Sequence, residues 1–175
     1  MVGMVKALDG NIMTETSELH HLPPIGPVAA LNDRQREALA RVGRFEELPV
    51  GDYIAVQGQP HRSMSLLLSG RVAVSVDAHG DHVDLAMLEA GDVVGEMSMI
   101  DPQRASATAR VAAGPARIWV IDGSAFDWFV AMEPTAGFVL MRELGKVLCR
   151  RVRHASDQML SRAAELRAHF LDMDY

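Results

Sequence analysis

Between Phe45 and Asp122 the apolar residues follow a two-residue period, in short runs closed off by glycine. The runs are Tyr53-Ile54-Ala55-Val56, Leu66-Leu67-Leu68, Val72-Val74-Val76, Val83-Leu85-Met87, Val93-Val94, Ala107-Ala109-Val111 and Ile118-Val120. Gly51, Gly58, Gly70, Gly80, Gly91 and Gly95 punctuate them, mostly about 7–12 residues apart, as short strands joined by turns would be. Successive side chains of a strand point to opposite faces, so this period describes a sheet with a buried face. The pattern predicts an antiparallel sandwich or small barrel. Asp77-Ala78-His79-Gly80-Asp81, between two alternating runs, reads as a hairpin turn with a glycine for positive φ.

Helical periods flank this region. Asn32 followed by Gln35 forms a capping-box pattern for a helix over Asp33 to Val42, which Gly43 would end. A second such pattern, Ser124 with Asp127, precedes Phe126, Trp128, Phe129 and Val130, and Pro134 interrupts. Beyond it, Met141, Leu144, Leu148, Val152, Ala155, Met159, Ala163, Leu166 and Phe170 recur at steps of three and four, an eleven-residue repeat. A helix from about Thr135 to Leu171 would be roughly 55 Å long, more than a globule of this size is wide. Part of its stripe must find another partner, and a second copy of the chain is expected there, the paired helices running nearly straight or slightly right-handed. Pro23-Pro24 and Pro27 leave residues 1–30 as an irregular N-terminal arm. The chain therefore divides into 1–30, 31–133 and 134–175.

Composition bounds the setting. With 49% hydrophobic and 23% charged residues the chain is globular, and its net charge of -6 argues against a nucleic-acid-coating protein. Cys149 stands alone, so neither an intramolecular disulfide nor a cysteine-rich zinc cage is expected. No apolar run approaches the ~20 residues that cross a bilayer, and Met1 to Leu22 lacks a secretory pattern. A cytoplasmic protein without membrane contact is the expectation.

The stretch from Gly91 to Thr108, GDVVGEMSMIDPQRASAT, carries the chemistry. It resembles the phosphate-binding cassette of cyclic-nucleotide-binding domains, the family of the catabolite activator protein and of the regulatory subunit of cAMP-dependent protein kinase. Gly51-Asp52-Tyr53-Ile54, Gly58, Leu66-Leu67-Leu68-Ser69-Gly70 and Gly91-Asp92 extend the likeness over residues 30–155. The resemblance implies a mainly β fold with flanking α: an eight-stranded antiparallel jelly-roll β-barrel (a double-stranded β-helix) plus a long C-terminal helix. It also implies a cyclic-nucleotide site, for cAMP or cGMP, drawn from Gly95, Glu96, Met97, Arg104, Ala105 and Ser106. In that site Glu96 would hold the ribose 2′-hydroxyl, and an arginine would close on the cyclic phosphate. A helix N-terminus and a glycine without a Cβ suit the approach of a phosphate.

The sequence departs from the family pattern at the arginine. Many members place it nine positions after the glutamate and directly before Ser-Ala-Thr; here Glu96 to Arg104 is eight, and Ala105 precedes Ser106-Ala107-Thr108. Aligned without a gap, Ala105 takes the phosphate position; aligned with a one-residue deletion, Arg104 keeps it. The ungapped register preserves the parity of Ala107, Ala109 and Val111, which a slip by one would invert. The cluster Lys146, Arg150, Arg151 and Arg153 is a substitute source of charge, since the family's long helix lies over the pocket.

Other candidates are weaker. His79 and His82 flank a turn without the further ligands of a cupin-type metal site, so no metal or cofactor is expected. Ser124 with His154 lacks a nucleophile elbow. Met87, Met97, Met99, Met132, Met141 and Met159 read as packing, and Cys149 as a partly buried thiol. No winged helix-turn-helix follows the long helix, so direct DNA binding is not expected. The resulting expectation is a non-enzymatic signalling module that binds a cyclic nucleotide or related anion and relays occupancy through its C-terminal helix. The alternative is a degenerate domain acting as a dimeric adaptor or scaffold for a larger protein partner.

Overall fold

The computed structural model describes residues 21–172 apart from His79. His79 and the first twenty residues of the expected N-terminal arm thus lie outside the described residues. Within the rest of that arm, Gly26–Ala30 is a 3-10 helix with Pro27 in its first turn and Pro27 and Val28 buried. Proline here starts a helical turn, where its missing N–H has no partner to lose, instead of preventing one.

Six strands follow: β1 (Arg44–Leu48), β2 (Tyr53–Ala55), β3 (Ser63–Ala78), β4 (Asp81–Leu88), β5 (Val93–Val94) and β6 (Thr108–Asp122). All pairings are antiparallel. β3 and β6 pair with each other along most of their length, from Ser63 opposite Asp122 to Ser75 opposite Thr108. β3 gives its other edge to β5 at Ser65–Leu66 and to β4 from Val72 onward. β6 gives its other edge to β2 near Ala109 and to β1 from Ala116 to Val120. Two long strands thus each serve two halves of the roll, and eight predicted strands become six. In β6 the Ala109-Val111 and Ile118-Val120 runs join across Gly114; in β3 the physical reason is Gly70. It reads as a turn between Leu66-Leu67-Leu68 and Val72-Val74-Val76, but it sits at φ +90° among register shifts inside one continuous strand. A Cβ there would meet Ala116 Cα at 2.7 Å and Pro115 O at 2.8 Å, so only glycine allows the two long strands to bend together.

The alternation divides the core in two. Leu67, Val72, Leu88, Val94, Ala109, Val111, Ile118 and Val120 fill the interior of the roll. Their neighbours Leu66, Val93, Trp119 and Ile121 face outward, onto Leu22, Val28, Leu39, Phe126, Phe129, Leu140 and Leu144. Consecutive apolar residues such as Leu66-Leu67 therefore report burial on both faces of one strand.

Among the described residues there are four α-helices: α1 (Asp33–Val42), α2 (Glu96–Ile100), α3 (Gly123–Met132) and α4 (Pro134–Asp172). The Asn32–Gln35 capping box of α1 is present in both directions. That of α3 differs from expectation. Asp122, not Ser124, is the N-cap, accepting from Ala125 N at 2.9 Å and from Ser124 Oγ at 2.9 Å, while Asp127 pairs with Arg62.

α4 runs 39 residues without a break. Ala136, Leu140, Leu144 and Val147 share the face laid on the roll, and Arg151 continues that face one turn further. Leu144 therefore belongs to the roll and not to a free stripe. On another side of the helix Phe138, Val152 and Met159 are exposed. Cys149 is exposed too, contrary to the expected partly buried thiol, as are Met87, Met97, Met132 and Met159, which therefore do not pack in the core. Among the described residues no helix is long and apolar enough to cross a membrane.

Candidate functional site

The turn from β5 into α2 builds the site. Val93 packs outward and Val94 inward, after which Gly95 takes φ +84° and redirects the chain. A Cβ at Gly95 would lie 2.1 Å from Ser63 O, so the position requires glycine. Glu96 is then turned inward and is 1% exposed. A carboxylate that dry needs a counter-charge. Arg151 supplies it from α4: Nη1 donates to Glu96 Oε1, and Nη2 donates to Val93 O at 2.6 Å. Of the basic cluster expected near the pocket, Arg151 alone lines it; Lys146 pairs with Glu143 at 2.7 Å. Lys146 also holds the Glu143 carboxyl below its ordinary value.

Strand parity separates Arg104 from Ala105. Ala105 packs against the interior cluster that holds Ala109 and Val111. Arg104 is exposed, and its Nη1 donates to Gly58 O at 2.8 Å. The backbone between is tied to the opposite loop, with Ala105 N donating to Gln59 O at 2.9 Å and Gly58 N to Ala105 O at 2.8 Å. Ahead of β6, Ala105 thus has the inward sense and Arg104 the outward one. Met97 and Ser106 are exposed at the mouth, with Ser106 Oγ 4.0 Å from Met97 Sδ.

Gly95, Glu96, Met97, Arg104, Ala105 and Ser106 all line one cavity of about 190 Å³, walled by Ala55, Val74, Leu88, Val94 and Ala109. The sequence-derived set is therefore brought together. What it lacked is Arg151, singled out only as one of four cations, and His61, which also lines the cavity. The one sequence signal for Arg151 is its place on the helix face of Ala136, Leu140, Leu144 and Val147. A lone histidine after Pro60 gave no signal. Among the described residues no cluster of His, Cys, Asp and Glu could hold a metal ion. The arrangement is an apolar pocket holding one buried carboxylate and one guanidinium, groups able to accept from a hydroxyl and to donate to an anion.

A family model described as the cyclic nucleotide-binding domain matches residues 45–133. Among solved structures, a cyclic nucleotide-binding domain from Methylobacillus flagellatus is 26% identical, with TM-score 0.71 over 75% of this chain and 74% of that one. The catabolite activator protein of Thermus thermophilus is 24% identical at TM-score 0.66, over 78% of this chain and 62% of that one. The regulatory domain of Toxoplasma gondii PKA, co-crystallised with cAMP, is 17% identical at TM-score 0.58, over 75% of this chain and 46% of its own. The last two likenesses concern the fold. No curated protein sequence matches the chain.

Proposed function

The chain belongs to the cyclic nucleotide-binding domain family, and from that membership we propose that it is a non-enzymatic, cytoplasmic regulatory module whose ligand is a cyclic nucleotide, cAMP or cGMP. The observation that carries the reading is the contact between Glu96 and Arg151, which joins the pocket to the long helix. A ribose hydroxyl would take the place of the guanidinium on Glu96. Arg151, released from the carboxylate, would turn to the cyclic phosphate and stand in for the cation that position 105 does not provide. The present cavity, at about 190 Å³, is smaller than the roughly 300–1,000 Å³ of small-molecule sites, so Arg151 must withdraw for a nucleotide to enter. Because Arg151 is fixed to α4, occupancy of the pocket and position of the helix change together.

Titration calorimetry with cAMP and cGMP tests this. Arg151→Ala should weaken binding by tenfold or more, the effect of losing a hydrogen bond to a charged group, roughly 1.5–3 kcal/mol. Ala105→Arg should strengthen it and largely restore binding to Arg151→Ala, whereas Arg104→Ala should change little. Binding that survives Arg151→Ala but is abolished by Arg104→Ala would overturn the assignment. A second reading, a scaffold that binds no nucleotide, is favoured by one observation: the methyl group of Ala105 at the inward position. No heat with either nucleotide at millimolar concentration would select it.

The partner proposed for α4 is a second copy of the chain. Phe138, Gly145, Leu148, Val152, Ala155 and Met159 fall at the two apolar positions of a heptad once Leu144 and Met141, both packed against the roll core, are set aside. That is a heptad seam, which pairs two helices with a left-handed supercoil, not the eleven-residue repeat expected from the whole stripe.

A further inference from the structure

The pocket wall contains a polar atom with no hydrogen-bond partner of standard geometry, although the Ser63 backbone lies close enough to favour its protonation. His61 Nε2 is shut off from solvent and has no hydrogen-bond partner. The other such atom among the described residues, Arg36 Nε, belongs to a guanidinium already bonded to Leu31 O and Asp33 at the start of α1. His61 follows the loop that is tied to the strand ahead of β6 by Gly58, Gln59 and the Pro60–Arg104 bridge. On its other side lies the turn into α2, where a Cβ at Gly95 would come within 2.6 Å of Nε2. The imidazole therefore sits where these two segments meet, in the lining of the same cavity as Glu96 and Arg151. A buried nitrogen left unpaired is unfavourable, and a ligand acceptor that reaches it as the Gly95 turn gives way removes that penalty.

We propose that His61 is a second anion-binding residue of this pocket, donating from Nε2 to an anionic oxygen of the ligand and taking up a proton from solvent as the ligand binds. In the structure, burial holds His61 below the ordinary imidazole value of 6.5, with the Ser63 backbone partly opposing it. The charged groups lining the cavity are Glu96 and Asp101 around α2, Arg104 ahead of β6, and Arg151 of α4. Glu96 is occupied by Arg151, and Arg104 is turned to Gly58. The neighbouring Arg62 reaches Asp127 at 2.9 Å. No carboxylate of the protein bonds Nε2, so a phosphate oxygen arriving there would be its first anionic partner and would raise its affinity for a proton. Ligand affinity then rises as pH falls through the interval between the free and bound midpoints of His61. The proposal rests on the nucleotide reading for the identity of the ligand, but the anion site does not depend on it.

The test is an NMR titration of the His61 ring against pH in the wild-type protein. It is run free, with cAMP, and with inorganic phosphate; His61→Gln assigns the resonance. Calorimetry with cAMP from pH 8 to pH 5.5 accompanies it. With ligand the midpoint should rise by about one pH unit, a tenfold change in proton affinity, and cAMP should bind more tightly at low pH in wild type but not in His61→Gln. Phosphate moving His61 while neither cAMP nor cGMP binds would uphold the anion site and overturn the nucleotide reading. A nucleotide that binds without moving His61 would uphold that reading and overturn this proposal, as would a His61 midpoint indifferent to every anion. Should His61→Gln not fold, through-bond backbone-to-ring assignment identifies the His61 resonance and the wild-type titration decides alone.

Discussion

Replacing Glu96 and Arg151 by neutral residues of similar length, singly and together, weighs the contact that closes the pocket. Glu96 is 1% exposed whereas the Arg151 side chain keeps 40% of its surface in water, so the pair lies between two regimes. Exposed ion pairs contribute about 0–1 kcal/mol. Removing one partner of a fully buried pair costs about 3–5 kcal/mol. With one partner dry and the other two-fifths wet, a coupling of about 1.5–3 kcal/mol is expected. Arg151→Met should be the worst single change, because it leaves a buried carboxylate without its counter-charge. Glu96→Gln should be milder, since the guanidinium can turn to water and still reach Val93 O. The double variant, with no orphan charge, should recover part of the loss. Urea unfolding of the four proteins gives the cycle. A coupling under about 0.5 kcal/mol, the scatter of independent sites, would refute the account of Glu96 as a carboxylate held dry by α4.

Three further outcomes follow from the same geometry. Gly95→Ala forces a Cβ into the left-handed region and onto Ser63 O, and should destabilise by at least about 2 kcal/mol in chemical denaturation. An unchanged midpoint would show the turn to be more pliant than its contacts allow. Leu148→Glu places a charge in the heptad seam of α4 and should convert a dimer of the 19.1 kDa chain to monomer in sedimentation equilibrium; a wild type already monomeric at tens of micromolar removes the dimer. The pH dependence has a defined sign. His61 is held below its unfolded value of 6.5, so the unfolded chain binds more protons and the His61 contribution to stability falls as pH drops through 6.5 toward the folded midpoint. His82, raised by its hydrogen bond to Asp77, acts oppositely, stabilising at low pH and losing that effect as pH climbs through its folded midpoint. Thermal melts of His61→Gln between pH 5 and 8 should show a shallower acid loss than wild type.

The sheet was legible because a two-residue period states directly which face is buried, and because Asn32 with Gln35 marks a helix start by a local hydrogen-bond exchange. Strand number was not legible. Gly70 carries the same letter whether it makes a turn or a bend within one strand, and what decides is the approach of Ala116, far away in sequence. The cap of α3 was misplaced for a related reason: Ser124 and Asp122 are both good N-caps, and Ser124 instead donates its hydroxyl to the true one.

The pocket divides along the same line. Gly95, Glu96 and Ala105 lie on one stretch of chain whose register is fixed by parity, so their inward or outward sense could be read residue by residue. Arg151 and His61 come from segments 55 residues further on and 35 residues back from Glu96, and no periodic pattern couples them to it. For Arg151 the missing step was to decide which of two apolar faces of α4 lies on the roll. Leu144 fits both the eleven-residue stripe and the face of Ala136 and Leu140, and its complete burial on the roll settles the choice. Once it does, Arg151 falls two turns beyond Leu144 on that face, over the buried carboxylate of the β5–α2 turn, to which it donates. The same assignment removes Leu144, and with it Met141, from the seam and leaves the remaining positions at heptad spacing. The burial of Leu144 therefore decides which face of α4 meets the pocket and which is turned away from it.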